Sequence, residues 1–123
     1  MSRDFRKLKV FAIADDLVVE IYRGTEDFPF AERFGLTAQI RRAAVSTASC
    51  IVEGSARRST REYLHFLNIA AASASEVRYL VELSERLGFT KAKDCERLRQ
   101  RYTELIGGLQ ALIRTLTPLS LEP

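Results

Sequence analysis

The segment from Thr90 to Pro118, TKAKDCERLRQRYTELIGGLQALIRTLTP, decides the fold. Within it Cys95, Leu98, Tyr102, Leu105, Leu109, Leu112 and Leu116 follow one another at alternating intervals of three and four. Residues so spaced fall on one side of an α-helix. A repeat this strict is a heptad seam that packs against other helices. Gly107 and Gly108 interrupt its helix propensity at about 1 kcal/mol each. They mark either a close approach by a neighbouring helix or a kink. Pro118 stops the helix, which is placed at about 91–116 with Thr90 as its cap.

Read backwards from there, the apolar pattern stays helical. Ser59-Thr60-Arg61-Glu62 is a capping box, and Gly88 suits the residue just past a helix end. They bracket a third helix over about 60–87, roughly 43 Å long at 1.5 Å per residue. Tyr63, Phe66, Leu67, Ala70, Ala74, Val77 and Val81 form its stripe, widened by Ile69, Leu80, Leu83 and Leu87. The second helix covers about 36–54, with Leu36, Ile40, Ala43, Thr47 and Ile51 on one face. Its other side carries Ala38, Val45, Ala48 and Val52. A helix apolar nearly all round is buried on both sides, which in a bundle this small points to a partner subunit. The first helix covers about 4–23, with Val10, Phe11, Ala14, Leu17, Val18, Ile21 and Tyr22 in its stripe. Between these two helices, Pro29 stands between Phe28 and Phe30, both expected to tuck against the bundle.

No window shows sustained period-two alternation, and only three prolines occur. The expected fold is therefore all-α: one domain over 1–123, an up-down-up-down antiparallel four-helix bundle that oligomerises. The length suffices to bury a core without disulfides or metals. The charged start and the lack of a long apolar run predict no signal peptide and no membrane span. Two cysteines without metal or redox spacing fit a cytoplasmic protein with reduced thiols.

Tests for chemistry turn up little. His65 is the single histidine. Glu62 stands three residues before it, the spacing of di-iron bundles, but such a site needs a second Glu-x-x-His motif. Cys50 and Cys95 would each need a base, and they read as small core residues at opposite ends of the bundle. No phosphate-binding loop is present. The sequence therefore predicts no enzyme, no metal and no cofactor.

Two groups of residues remain. Gln39, Arg42, Ser46 and Glu53 line one side of the second helix, and Ser73 and Glu76 sit between the apolar strips of the third. They are read as hydrogen bonds and ion pairs between helices or subunits, with a pocket built from Glu53, Glu76 and Arg42 as the alternative. The second group is basic. In an antiparallel layout Arg3, Arg6, Lys7, Lys9, Arg57, Arg58, Arg61 and Arg114 collect at one pole, so a formal charge of +3 hides a polarised distribution. Such a pole suits RNA or DNA phosphates. A solvated end that keeps the protein soluble is the plainer reading.

The run Phe28-Pro29…Glu32…Phe34-Gly35-Leu36-Thr37…Gln39-Ile40-Arg41-Arg42-Ala43…Ser46, followed by Ile51-Val52-Glu53-Gly54, resembles the bacterial four-helix bundle proteins also called 23S rRNA intervening sequence proteins. Glu62-Tyr63…Phe66-Leu67…Ile69-Ala70…Ser73…Glu76 and Leu87-Gly88-Phe89 extend the likeness. Cys50 stands where that family usually has Asn, and Ala72 where it often has Gly. The resemblance implies a ring-shaped homopentamer of antiparallel bundles without enzymatic activity. Some members are encoded within insertions in large-subunit rRNA genes. It also implies kinship with an accessory protein of diversity-generating retroelements that binds nucleic acid and a reverse transcriptase through a basic surface. Two readings follow: an oligomer that binds RNA or DNA through its basic pole, or a protein–protein adaptor with no nucleic-acid role.

Overall fold

A computed structural model describes residues 4–121. It contains helices α1 (Lys9–Gly24), α2 (Leu36–Ser55), α3 (Thr60–Arg86) and α4 (Ala92–Leu116). Short 3-10 turns cover Phe5–Lys7, Phe30–Glu32 and Thr117–Leu121, and no strand occurs among the described residues. The α2–α3 contact is the most extensive, followed by α3–α4, and α1 closes on both α2 and α4. Residue numbers rise along one helix as they fall along its neighbour. Gln39 meets Glu76, Ser46 meets Ser73, and Gly54 meets Tyr63 and Phe66. Across α3 and α4, Val81 meets Cys95 and Arg78 meets Thr103. Across α1 and α4, Val10 meets Gly108 and Glu20 pairs with Arg97.

The core follows the sequence stripes. Leu17, Ile21, Ile40, Ile51, Leu67, Val77, Val81, Leu105 and Leu109 are buried, together with Tyr63 and Tyr102. Each large apolar side chain removed from water contributes about 1.5–3 kcal/mol. The α4 seam is buried from Cys95 to Leu109, and Leu112 and Leu116 pack half-buried at its end. α4 runs through both glycines without a break. A Cβ on Gly108 would lie 2.8 Å from Val10 Cγ1, so this glycine admits α1 closely, whereas Gly107 faces open space.

α3 is closed at both ends by local chemistry. Ser59 Oγ accepts the Glu62 N–H at 3.1 Å. Gly88 adopts φ +81°, and the Gly88 and Phe89 amides return to the Glu85 and Ser84 carbonyls at 2.9 Å each. That pair of bonds is a Schellman motif. It delivers Phe89 to Phe28, with ring centroids 5.6 Å apart.

Three details differ from the sequence reading. The first helix begins at Lys9, not near Asp4, because Leu8 is extended (φ −82°, ψ 127°). The break lets the Phe5 ring fold edge-on to Phe11 at 4.8 Å. In one continuous helix these residues would point about 120° apart. Asp4 secures the short turn by accepting the Arg6 N–H. The residue before α4 is Lys91, with no side-chain capping bond, so Thr90 is not the cap. Only one of the two loop phenylalanines tucks in. Phe28 is buried against Phe89, whereas Phe30 is 76% exposed and Phe34 85%.

Part of the apolar surplus on α2 and α3 is absorbed within the chain, since Ala48 and Leu80 are buried. Val45, Tyr79 and Leu87 stay exposed. No helix is long and apolar enough to cross a membrane among the described residues.

Candidate functional site

The basic residues lie where helix ends converge. Val10 beside Gly108 sets the start of α1 against the last turns of α4, and Gly54 beside Tyr63 and Phe66 sets the end of α2 against the start of α3. The 3-10 turn that follows α4 touches α3, and the one that precedes α1 touches α2. Arg6, Lys7, Lys9, Arg57, Arg58, Arg61 and Arg114 are all exposed there. Arg3 lies outside the described residues. Among the described residues the side chains of Lys7, Lys9, Arg58, Arg61 and Arg114 form no hydrogen bond or ion pair, so their charge faces solvent. Asp4 and Glu62 are the acids closest in sequence to these clusters, and Asp4 is engaged in its turn. Like charges gathered at one end focus a positive potential.

This end also contains a recess that sequence reading does not reveal. Arg57, Ser59, Arg61, Glu62, His65 and Phe66 line a concavity of about 550 Å³. The Arg57 guanidinium lies 4.7 Å from the centre of the Phe66 ring. His65 is exposed and meets that ring edge-on, with centroids 5.4 Å apart. Arg57 reaches Phe66 because the turn folds back over the first turns of α3, a geometry that helical periodicity does not encode.

The polar residues of α2 and α3 divide into two sets. Gln39 Nε2 donates to Glu76 at 3.3 Å, and the Ser46 and Ser73 hydroxyls lie 3.0 Å apart. These tie α2 to α3 within one chain. Arg42 and Glu53 are exposed, and their side chains form no hydrogen bond or ion pair among the described residues. None of the six residues lines the recess at the basic end or the cleft at the other end.

A second cleft, of about 610 Å³, lies at the other end. Ile21, Ile40, Val81 and Leu98 contribute apolar lining, and Glu20, Asp27, Lys91, Asp94 and Arg97 contribute charge of both signs. Nearby, Arg41 Nε donates to Thr25 Oγ1 at 2.8 Å, and Arg41 Nη2 donates to the Tyr22 carbonyl at 3.2 Å. A cation there complements the C-terminal end of the α1 dipole.

Cys50 and Cys95 are both free and buried. Burial, reinforced by the Glu85 carboxylate, raises the Cys95 pKa and keeps the thiol protonated. Cys50 Sγ rests 3.8 Å from Ser46 Oγ, a packing contact. No group of three or more His, Cys, Asp or Glu side chains converges as a metal site would require, among the described residues.

The comparisons with known proteins agree on a family. No curated protein matches the chain significantly. A solved structure from Bacteroides thetaiotaomicron, described as a protein of unknown function from the S23 ribosomal protein family, superposes with a TM-score of 0.76. Its sequence is 26% identical, and the match covers 85% of this chain and 97% of that one. The family model for the 23S rRNA-intervening sequence protein matches residues 6–111, almost the whole helical body. The chain belongs to the 23S rRNA-intervening sequence protein family.

Proposed function

We propose that this protein is a non-enzymatic, cytoplasmic, oligomeric scaffold that binds RNA or DNA through its basic end. The observation that carries the reading is the convergence of Arg6, Lys7, Lys9, Arg57, Arg58, Arg61 and Arg114 at one end, all exposed. The side chains of Lys7, Lys9, Arg58, Arg61 and Arg114 form no hydrogen bond or ion pair among the described residues, and are available to replace the counterions around phosphates. The subunit is read as an up-down-up-down antiparallel bundle, which the opposed numbering across α2–α3, α3–α4 and α1–α4 supports. Val45, Tyr79, Leu87, Phe30 and Phe34 leave apolar surface for subunit contacts. The ring-shaped homopentamer is the assembly implied by the family likeness, and a ring would repeat the basic end around its axis.

Binding to a nucleic-acid probe at increasing salt tests this function. If about five phosphates are neutralised, affinity falls about a hundredfold for a single strand and about five hundredfold for a duplex between about 50 and 200 mM salt. Arg57→Glu, Arg58→Glu and Arg61→Glu together should abolish it. Binding that ignores salt, or survives all three reversals, would sink the reading. Light scattering tests the assembly, and a monomer mass at micromolar concentration would exclude the ring.

A protein–protein adaptor is the second reading, favoured by the Phe30–Arg33–Phe34 projection. Arg33 lies 3.8 Å and 4.6 Å from the two ring centres. Exposed aromatics with an arginine are typical of interface hot spots. A stoichiometric protein partner that copurifies after nuclease treatment, and is lost in Phe30→Ser/Phe34→Ser, supports it. Loss of all partners on nuclease treatment counts against it.

A further inference from the structure

The recess at the α2–α3 turn has more than charge. A double-stranded backbone presents phosphates and asks for cations alone, and the exposed lysines and arginines around this end already supply those. Phe66 and His65 add aromatic surface, and the Arg57 guanidinium lies over the Phe66 ring. Guanidinium and aromatic groups both present planar surfaces that other planar groups pack against. Bases that are not paired stack on aromatic and arginine planes in this way. Arg61 borders the same recess and can meet the phosphate of the nucleotide whose base enters.

Phe66 is also fixed from behind. Its Cβ occupies the space that a side chain at position 54 would need, 2.9 Å from where that Cβ would lie. The root of the Phe66 side chain is therefore set by the close packing of α2 on α3. Glu62 opposes a phosphate on its side of the recess, but a carboxylate accepts hydrogen bonds from base N–H groups.

We infer that this recess takes one unpaired nucleotide of a single-stranded nucleic acid, its base stacked within the Arg57–Phe66–His65 group and its phosphate held by Arg61. The inference rests on the reading that the basic end binds nucleic acid, and narrows it to strands with accessible bases.

Fluorescence anisotropy on the full-length protein, with a short unstructured strand and a duplex of equal phosphate number, tests it. RNA and DNA versions are both run, because base face and phosphate are common to the two. The single strand should bind at least about tenfold more tightly than the duplex with one backbone or both. His65→Ala and Phe66→Leu should each erode that preference while leaving the salt slope unchanged, whereas Arg61→Glu should flatten the slope. His65 is exposed, so its variant keeps the core intact even if Phe66→Leu loosens the bundle. Equal binding of strand and duplex, or a preference that ignores His65→Ala and a folded Phe66→Leu, overturns the inference and leaves the basic end standing. No binding to any probe overturns both.

Discussion

Glycine plays opposite parts at two positions of this chain. At Gly54 a Cβ would lie 2.9 Å from Phe66 Cβ, 3.0 Å from Tyr63 Cδ1 and 3.3 Å from the Tyr63 carbonyl. The obstacles are the root of one side chain, a buried ring and backbone, so α2 and α3 must separate to admit a methyl group. Helix propensity would return only about 1 kcal/mol, and overpacking of this kind costs about 1–3 kcal/mol or more. Gly54→Ala should therefore destabilise by about 2 kcal/mol. Gly107 has no neighbour within 4 Å of its missing Cβ, so Gly107→Ala should stabilise by about 0.5–1 kcal/mol. Urea unfolding of the two variants checks both signs. Thr37 is a third such residue. It is buried in the first turn of α2, and its hydroxyl has no hydrogen-bond partner among the described residues. A buried polar group left unpaired costs about 1–3 kcal/mol. Thr37→Val keeps the shape and the branching, and should raise stability by about 1 kcal/mol in the same assay. A lowered midpoint would show that this hydroxyl has a role the fold alone does not explain.

At the scale of elements, α3 is the best-determined helix, because its two ends are closed by different devices. Ser59→Ala removes the acceptor for the Glu62 amide and should cost about 1 kcal/mol. Gly88→Ala forces an L-residue to φ +81° and should cost about 1–2 kcal/mol. The sites stand roughly 40 Å apart along the helix and share no partner, so the double variant should show the simple sum. A urea midpoint that departs from additivity would mean that the helix frays as a unit. Both ends are legible in the sequence, since Ser-x-x-Glu and Gly are local signals. The break at Leu8 is not, because it serves the contact between Phe5 and Phe11, and periodicity registers no such contact. The contrast between Phe28 and Phe30 is equally hidden: Phe28 has Phe89 to pack against, a residue brought across by the Schellman turn. For the site, the charges could be located from helix ends alone, because opposed helices bring alternate ends together. The recess could not, because the position of Arg57 over Phe66 depends on the path of a short turn.

The whole molecule carries an alkaline limit in its core. Burial raises the Tyr102 pKa, and the nearby Glu20 carboxylate adds to the effect. Burial likewise raises the Cys95 pKa, with Glu85 and Glu82 reinforcing it and Arg99 opposing it. Both groups lie on the same α4 seam, against α1 and α3. In the unfolded chain they lose their protons near the ordinary values of 9.0 and 10.0. In the folded chain they keep them to higher pH. The folded state therefore binds more protons than the unfolded state above about pH 9, and stability must fall as pH rises through that range. Below it both groups are neutral in both states and contribute no pH dependence. Melting temperatures measured between about pH 8 and 10.5 should decline, and the decline should be shallower in Tyr102→Phe and shallower still with Cys95→Ala added. Tyr102→Phe keeps the ring that fills the seam, so its stability at neutral pH should stay close to that of the parent. A flat profile in the parent, or an equally steep one in the double variant, would overturn this assignment to Tyr102 and Cys95.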